Sequence, residues 1–362
     1  MTGRSQMGTK LANIPMGKFD FDLHKIGLHR KTLMGLAALS IFIMHFTAIG
    51  ALQFIGPLVL VGKALAAWTA VDVEIFCLVS GYGIFYALSK RPPLIHYFEK
   101  RLERVVIPFL LIMVPGNLFL LCLPLNECLF RCSTLYYWLE KNDGTWFVLF
   151  IILMYALAPL FFRMYSSGTH SQIIGWHCIF MAALWGGIYA VTKLYPMADE
   201  RWGLALYRVP MFFTGMLLAA IEKNGKGTIP WTTNLVLFIV CLLKSGLNID
   251  FGVFEALLLQ CRSMICICFE CLILDVASRY TRKGFYIMDS VGKCSLEFYL
   301  VHGLILNWLR KDPVRMQNIQ GNFCAVLLML AVTYAVSLEV NGFSNVIIRV
   351  LTENTHRKHT RQ

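Results

Sequence analysis

The sequence predicts an all-α, polytopic integral membrane protein with about ten transmembrane helices. Composition, the lengths of the apolar runs and the placing of the basic residues all lead there. Of 362 residues, 57% are hydrophobic and 15% are charged, where a soluble domain keeps roughly 25% charged residues to face water. With a mean hydropathy of +0.61, a chain this long would expose too much hydrocarbon unless lipid covered it. The net charge of +12 would suggest nucleic acid in a soluble protein. Here the cations sit between apolar runs, where positive charge sets topology, so the expected partner is the bilayer and not nucleic acid.

Residues 1–30 are polar, with Lys10, Lys18, Lys25 and Arg30 and no short apolar core before a small-residue cleavage site. They read as a cytoplasmic N-terminal segment rather than a cleaved leader. Spans of roughly 20 apolar residues then fall at 33–53, 66–88, 104–124, 145–165, 172–192, 204–221, 230–247, 253–275, 288–309 and 323–345. The sixth and eighth are the weakest, because they carry Arg208 and, in the eighth, Arg262 and Glu270. Residues 31–350 form one membrane domain, and 351–362 a basic cytoplasmic tail. With the N-terminus inside, 22 of the 33 Lys and Arg residues lie in inner segments and 9 in outer loops, Arg208 and Arg262 being within spans. That excess predicts both termini in the cytoplasm, which an even number of spans satisfies.

Ionisable groups inside spans are costly and face a cavity or a partner. His45 lies beyond the middle of the first span, and Glu74 reaches a similar depth in the second. A carboxylate on one imidazole nitrogen would leave the other as a base, whereas a lone packed His bonded to backbone is the plainer reading. In the ninth span Ser295, Tyr299 and His302 share a face, with Glu297 off it. Such a stripe lines a polar cavity or glues helices together. Arg208 is either an anion contact or half of a structural ion pair. Arg101 and Arg104 share a face at the inner end of the third span. They suit phosphates, which guanidinium groups bind through forked donors, and they equally suit positive-inside anchoring.

Cysteines 261, 266, 268 and 271 crowd one span. Thiolate ligation is expensive in hydrocarbon, so they read as small buried hydrophobes and no metal is expected. Cys128 and Cys132 fall in an outer loop, where a local disulfide stays open.

The run Gly35–His45, GLAALSIFIMH, resembles the first-helix motif of the acyltransferase-3 family, which ends in His. Val73–Tyr82, VEIFCLVSGY, is similar to the family's V-[DE]-x-F…S-G-[FY] signature, and Arg101–Pro108, RLERVVIP, to its R-x-x-R segment. Trp146–Pro159, Arg208–Gly215 and Gly292–His302 resemble later blocks, so the likeness runs in order over roughly 30–345. It implies a bacterial inner-membrane enzyme that moves an acyl group, usually acetyl, from cytoplasmic acyl-CoA to an extracytoplasmic or lipid-linked carbohydrate. By that resemblance His45 is catalytic and Glu74 supports it. Arg101 and Arg104 hold the CoA phosphates, and Arg208, Ser295, Tyr299 and His302 bind substrate. The family's basic residue eleven positions before the His is Met34 here. Lys31, one turn nearer the cytoplasm and within about 40° of the same face, is expected to take over its charge. No soluble esterase-like domain accompanies the span region, so the protein acts alone, as a homodimer or with a separate partner enzyme. A transporter or flippase, and a non-catalytic relative, are the rival readings. The acceptor glycan and the acyl chain are not legible.

Overall fold

A computed structural model describes residues 20–52, 72–133, 135–140, 145–225, 227–247, 253–280 and 285–359. The predicted starts of the N-terminal segment and of the second span, and the end of the tail, lie outside these residues. Within hydrocarbon every backbone N–H and C=O must be satisfied inside its own segment, so the apolar runs fold as helices.

In chain order these are β1 (Phe21–Asp22), α1 (His24–Leu28), α2 (Arg30–Ala48), α3 (Asp72–Ser89) and α4 (Leu94–Pro115). Next come α5 (Leu125–Cys132), α6 (Leu135–Glu140), α7 (Trp146–Ser166), α8 (His170–Leu194), α9 (Pro196–Leu206) and α10 (Val209–Lys223). The chain closes with β2 (Thr228–Ile229), α11 (Trp231–Leu247), α12 (Val253–Tyr280), α13 (Tyr286–Lys293), α14 (Ser295–Arg310), α15 (Pro313–Ile319) and α16 (Phe323–His359).

Each of the ten apolar runs is helical, yet among the described residues eight helical stretches are long and apolar enough to cross a membrane. The two runs not among the eight are the seventh, where α11 has 17 residues, and the ninth. The sixth run is one of the eight, Pro196–Lys223, but it is interrupted at Tyr207–Arg208, because Pro210 in the first turn of α10 has no N–H to continue α9. Arg208 covers that break by donating from Nη1 to Leu204 O at 2.9 Å. The ninth run breaks at Cys294 (φ −112°, ψ 30°), leaving α14 only 16 residues long. The third run ends in a π-helical turn, Gly116–Leu120, directly after Pro115. At the other end of the chain α16 runs past the expected tail boundary to His359.

Two close crossings organise the bundle. A Cβ on Gly81 of α3 would come within 1.9 Å of Phe212 O, and one on Gly215 of α10 within 2.0 Å of Leu78 O. The two backbones therefore meet with glycine on both sides. Gly35 of α2 and Gly292 of α13 repeat the device against Met288 O and Lys31 O. Small residues allow this approach, and dispersion supplies attraction where lipid removes the hydrophobic drive. Phe42, Phe46, Phe85, Phe212, Phe213 and Phe298 fill the centre, while Trp176, Ile179, Phe238 and Leu328 face outward as a lipid-facing surface would. At the N-terminal end of α2, β1 pairs antiparallel with β2, and Lys25 bonds Asp275 of α12 at 3.1 Å. Together these contacts strap α1 across the bundle.

Candidate functional site

The starts of α2 and α14, the first half of α4 and the later turns of α16 surround a cavity of about 1130 Å³. That exceeds the ~300–1,000 Å³ usual for small-molecule sites. Arg30, Lys31, Arg101, Arg104 and Lys293 all line it. Among the described residues none of the five has a carboxylate within salt-bridge distance. The carboxylates on its wall are engaged elsewhere: Asp289 accepts from Thr32 Oγ1 at 2.5 Å, and Glu297 from Asn341 Nδ2 at 2.8 Å. Burial holds the His29 imidazole at the rim below its ordinary pKa, with Asp275 opposing, so the positive charge comes from the arginines and lysines. A dense, unneutralised set of cations in a recess attracts a polyanion.

The cations are held in place by their neighbours. Arg101 lies 6.0 Å from the ring centroids of both Tyr97 and Tyr155, and Tyr97 donates to Tyr155 O at 3.1 Å. The Arg30 guanidinium covers Gly83, where an added Cβ would sit 3.1 Å from Cζ.

A narrow slot of about 80 Å³ adjoins this cavity. Met34, Val105, Tyr155, Ser295 and Leu296 line both spaces. Deeper, the slot is bounded by Ile41, Phe76, Phe147 and Tyr299. Tyr299 packs edge-on against His302 with centroids 5.5 Å apart. His302 Nε2 lies 2.9 Å from His45 Nδ1, and the two rings stack at 5.2 Å. His302 Nδ1 contacts Phe298 O at 3.0 Å. His302 is buried and His45 half-buried.

Glu74 lies elsewhere. The sequence brings it to the depth of His45, but its Oε1 pairs with Arg208 Nη2 at 3.3 Å in a buried bridge. The Arg208 guanidinium sits 5.5 Å from the Trp146 ring centroid. The nitrogen of His45 goes to His302 instead, because the α3–α10 glycine crossing carries Glu74 toward the start of α10. Lys31, Arg101 and Arg104 share the large cavity, Ser295 stands where cavity meets slot, Tyr299 lines the slot, and His302 joins His45. Arg30 and Lys293, absent from the sequence-derived set, complete the cationic wall. Arg30 lies fifteen residues before His45, about 60° round the helix from it, which its long side chain spans. Lys293 has no signal until α13 and α2 are brought together.

Among the described residues no cluster of His, Cys, Asp and Glu suits a metal ion. Cys268 and Cys271 are buried thiols, and Cys128 and Cys132 are thiols rather than a disulfide.

Apolar spans around a cation-lined recess and a stacked imidazole pair define a multi-pass membrane protein with an internal polar site. The family model described as an acyltransferase domain, that of the acyltransferase-3 family, matches residues 33–339, and the chain belongs to this family. It is thus a membrane acyltransferase. Neither the curated proteins nor the solved structures gave a match.

Proposed function

We propose that the protein transfers an acetyl group from cytoplasmic acetyl-CoA to a hydroxyl of an extracytoplasmic or lipid-linked carbohydrate. The observation that carries this reading is the continuity of the five-cation cavity with the narrow slot that ends at Tyr299 beside the His pair. Coenzyme A has that shape: a nucleotide with several phosphates, followed by a thin arm bearing the thioester. In this reading Arg30, Lys31, Arg101, Arg104 and Lys293 hold the phosphates, and the arm passes Met34 and Ser295. A slot of about 80 Å³ favours a short acyl group over a long one.

His45 accepts the proton of the acceptor hydroxyl as its oxygen attacks the thioester carbon. The C–S bond then breaks, and the departing CoA thiolate takes that proton from the imidazolium. A positioned base of this kind contributes on the order of 10²–10⁴-fold, and holding donor and acceptor together supplies much of the rest. Glu74 supports the centre indirectly, by fixing Arg208 over Trp146 on the side from which the acceptor comes.

The test is CoA release from acetyl-CoA by protein in lipid nanodiscs, with glycan-containing membrane extract as acceptor. Wild type should release CoA, and His45→Ala should lose release by at least a hundredfold while still binding acetyl-CoA. Substrate movement across vesicles without CoA release would move the weight to a transporter.

A further inference from the structure

We propose that His302 is a positioning residue that fixes the tautomer of His45, so that Nε2 of His45 is the nitrogen that acts as base. This rests on the reading of His45 as the proton acceptor. A carbonyl oxygen can only accept, so the 3.0 Å contact with Phe298 O places a proton on His302 Nδ1. His302 is 1% exposed and is walled by the rings of Phe42, Phe298 and Tyr299. No described carboxylate bonds it. A second proton would leave a charge without compensation in an apolar wall. His302 is therefore neutral, and its Nε2 presents a lone pair.

The 2.9 Å contact to His45 then has one solution. His45 Nδ1 carries the hydrogen and donates it, and His45 Nε2 keeps its lone pair. When Nε2 takes the acceptor's proton, His45 becomes an imidazolium, and its bond to His302 becomes charge-assisted and stronger. The same lone pair thus orients the base and stabilises the cation formed on it. An aspartate does this in the serine-protease triad, but the carboxylate nearest in depth, Glu74, is committed to Arg208. The backbone carbonyl of Phe298 anchors the chain of bonds in its place.

The test compares His302→Leu, which removes the lone pair, with His302→Gln, whose carbonyl can accept from His45 Nδ1. Kinetics are read beside nitrogen NMR of ¹⁵N-histidine-labelled protein in nanodiscs. In wild type we expect His45 with Nδ1 protonated and Nε2 bare. His302→Leu should lower kcat by a hundredfold or more, leave the KM for acetyl-CoA within about twofold, and mix the His45 tautomers. His302→Gln should recover at least tenfold of the lost kcat and restore the Nδ1–H signal.

Unchanged kcat in His302→Leu, or a wild-type His45 protonated at Nε2, would overturn the inference. So would equal losses in both variants together with lost acetyl-CoA binding, the pattern of a purely structural residue. Full activity of His45→Ala would instead overturn the base assignment itself, and the NMR reading, which needs no turnover, tells the two failures apart.

Discussion

Arg30 and Lys31 are adjacent in sequence, and both open into the cavity. Met34, where the family resemblance leads one to expect a base, lies at its junction with the slot. The charge here lies toward the start of α2 and position 34 is apolar, which suits a thin uncharged arm. A charge-assisted hydrogen bond is worth about 1.5–3 kcal/mol, so Arg30→Ala and Lys31→Ala should each raise the KM for acetyl-CoA about 10- to 100-fold, with kcat nearly unchanged. With acetyl-pantetheine, which lacks the nucleotide phosphates, both variants should match wild type. An equal defect with both donors would remove these residues from the phosphate site. That Lys31 lines the cavity was legible once the resemblance asked for a base near the His45 face. The His45–His302 contact was not: depth along a span says which residues are level and nothing about which helix stands beside which. Glu74 and His45 are level in the sequence, and the structure gives each a different partner.

At the level of elements, helix content followed from apolar run length, while continuity depended on single residues. Pro210 ends the path from α9 into α10. Its effect was readable in principle, since proline lacks the donor and clashes with the preceding turn. The break at Cys294 has no comparable mark beyond Gly292 two residues earlier. The glycine crossings were also hidden, because SGY in α3 and FTG in α10 look like any small residues until the helices pack. They carry a stability prediction. Gly81→Ala would drive a Cβ to 1.9 Å from Phe212 O, and backbone cannot yield as a side-chain tip can. The cost should reach the upper part of the ~1–3 kcal/mol range for overpacking, seen as a lower unfolding midpoint in detergent. Gly186→Ala is the control: nothing lies within 4 Å of its Cβ, and relief of glycine's backbone entropy should leave it unchanged or stabler by roughly 0.5–1 kcal/mol. If the two variants melt alike, the α3–α10 crossing is not tight.

Across the whole molecule the polar features divide between the two ends of the bundle. Arg30, Lys31, Arg101, Arg104 and Lys293 collect at the end where α2 begins, and His45 stands fourteen residues further along α2 than Lys31, about 21 Å. By the positive-inside rule the loop charges, 22 against 9, predict that the cavity end faces the cytoplasm. The slot between the two ends, at about 80 Å³, is too small for the nucleotide, so only the acyl-bearing arm would approach the His pair, and CoA would return to the side it came from. This makes the reaction sided. In vesicles of uniform orientation, acetyl-CoA, which does not cross lipid, should support transfer only when supplied on the side bearing the termini. That side can be identified by protease release of a tag placed after residue 362, and the free CoA should be recovered there. Acceptor modified on the face opposite the donor would fit a protein that passes an acyl group, and neither sugar nor cofactor, through the bilayer. Equal activity with donor on either face would mean that the cavity is not the donor entrance, and the five cations would then be read as topology anchors alone.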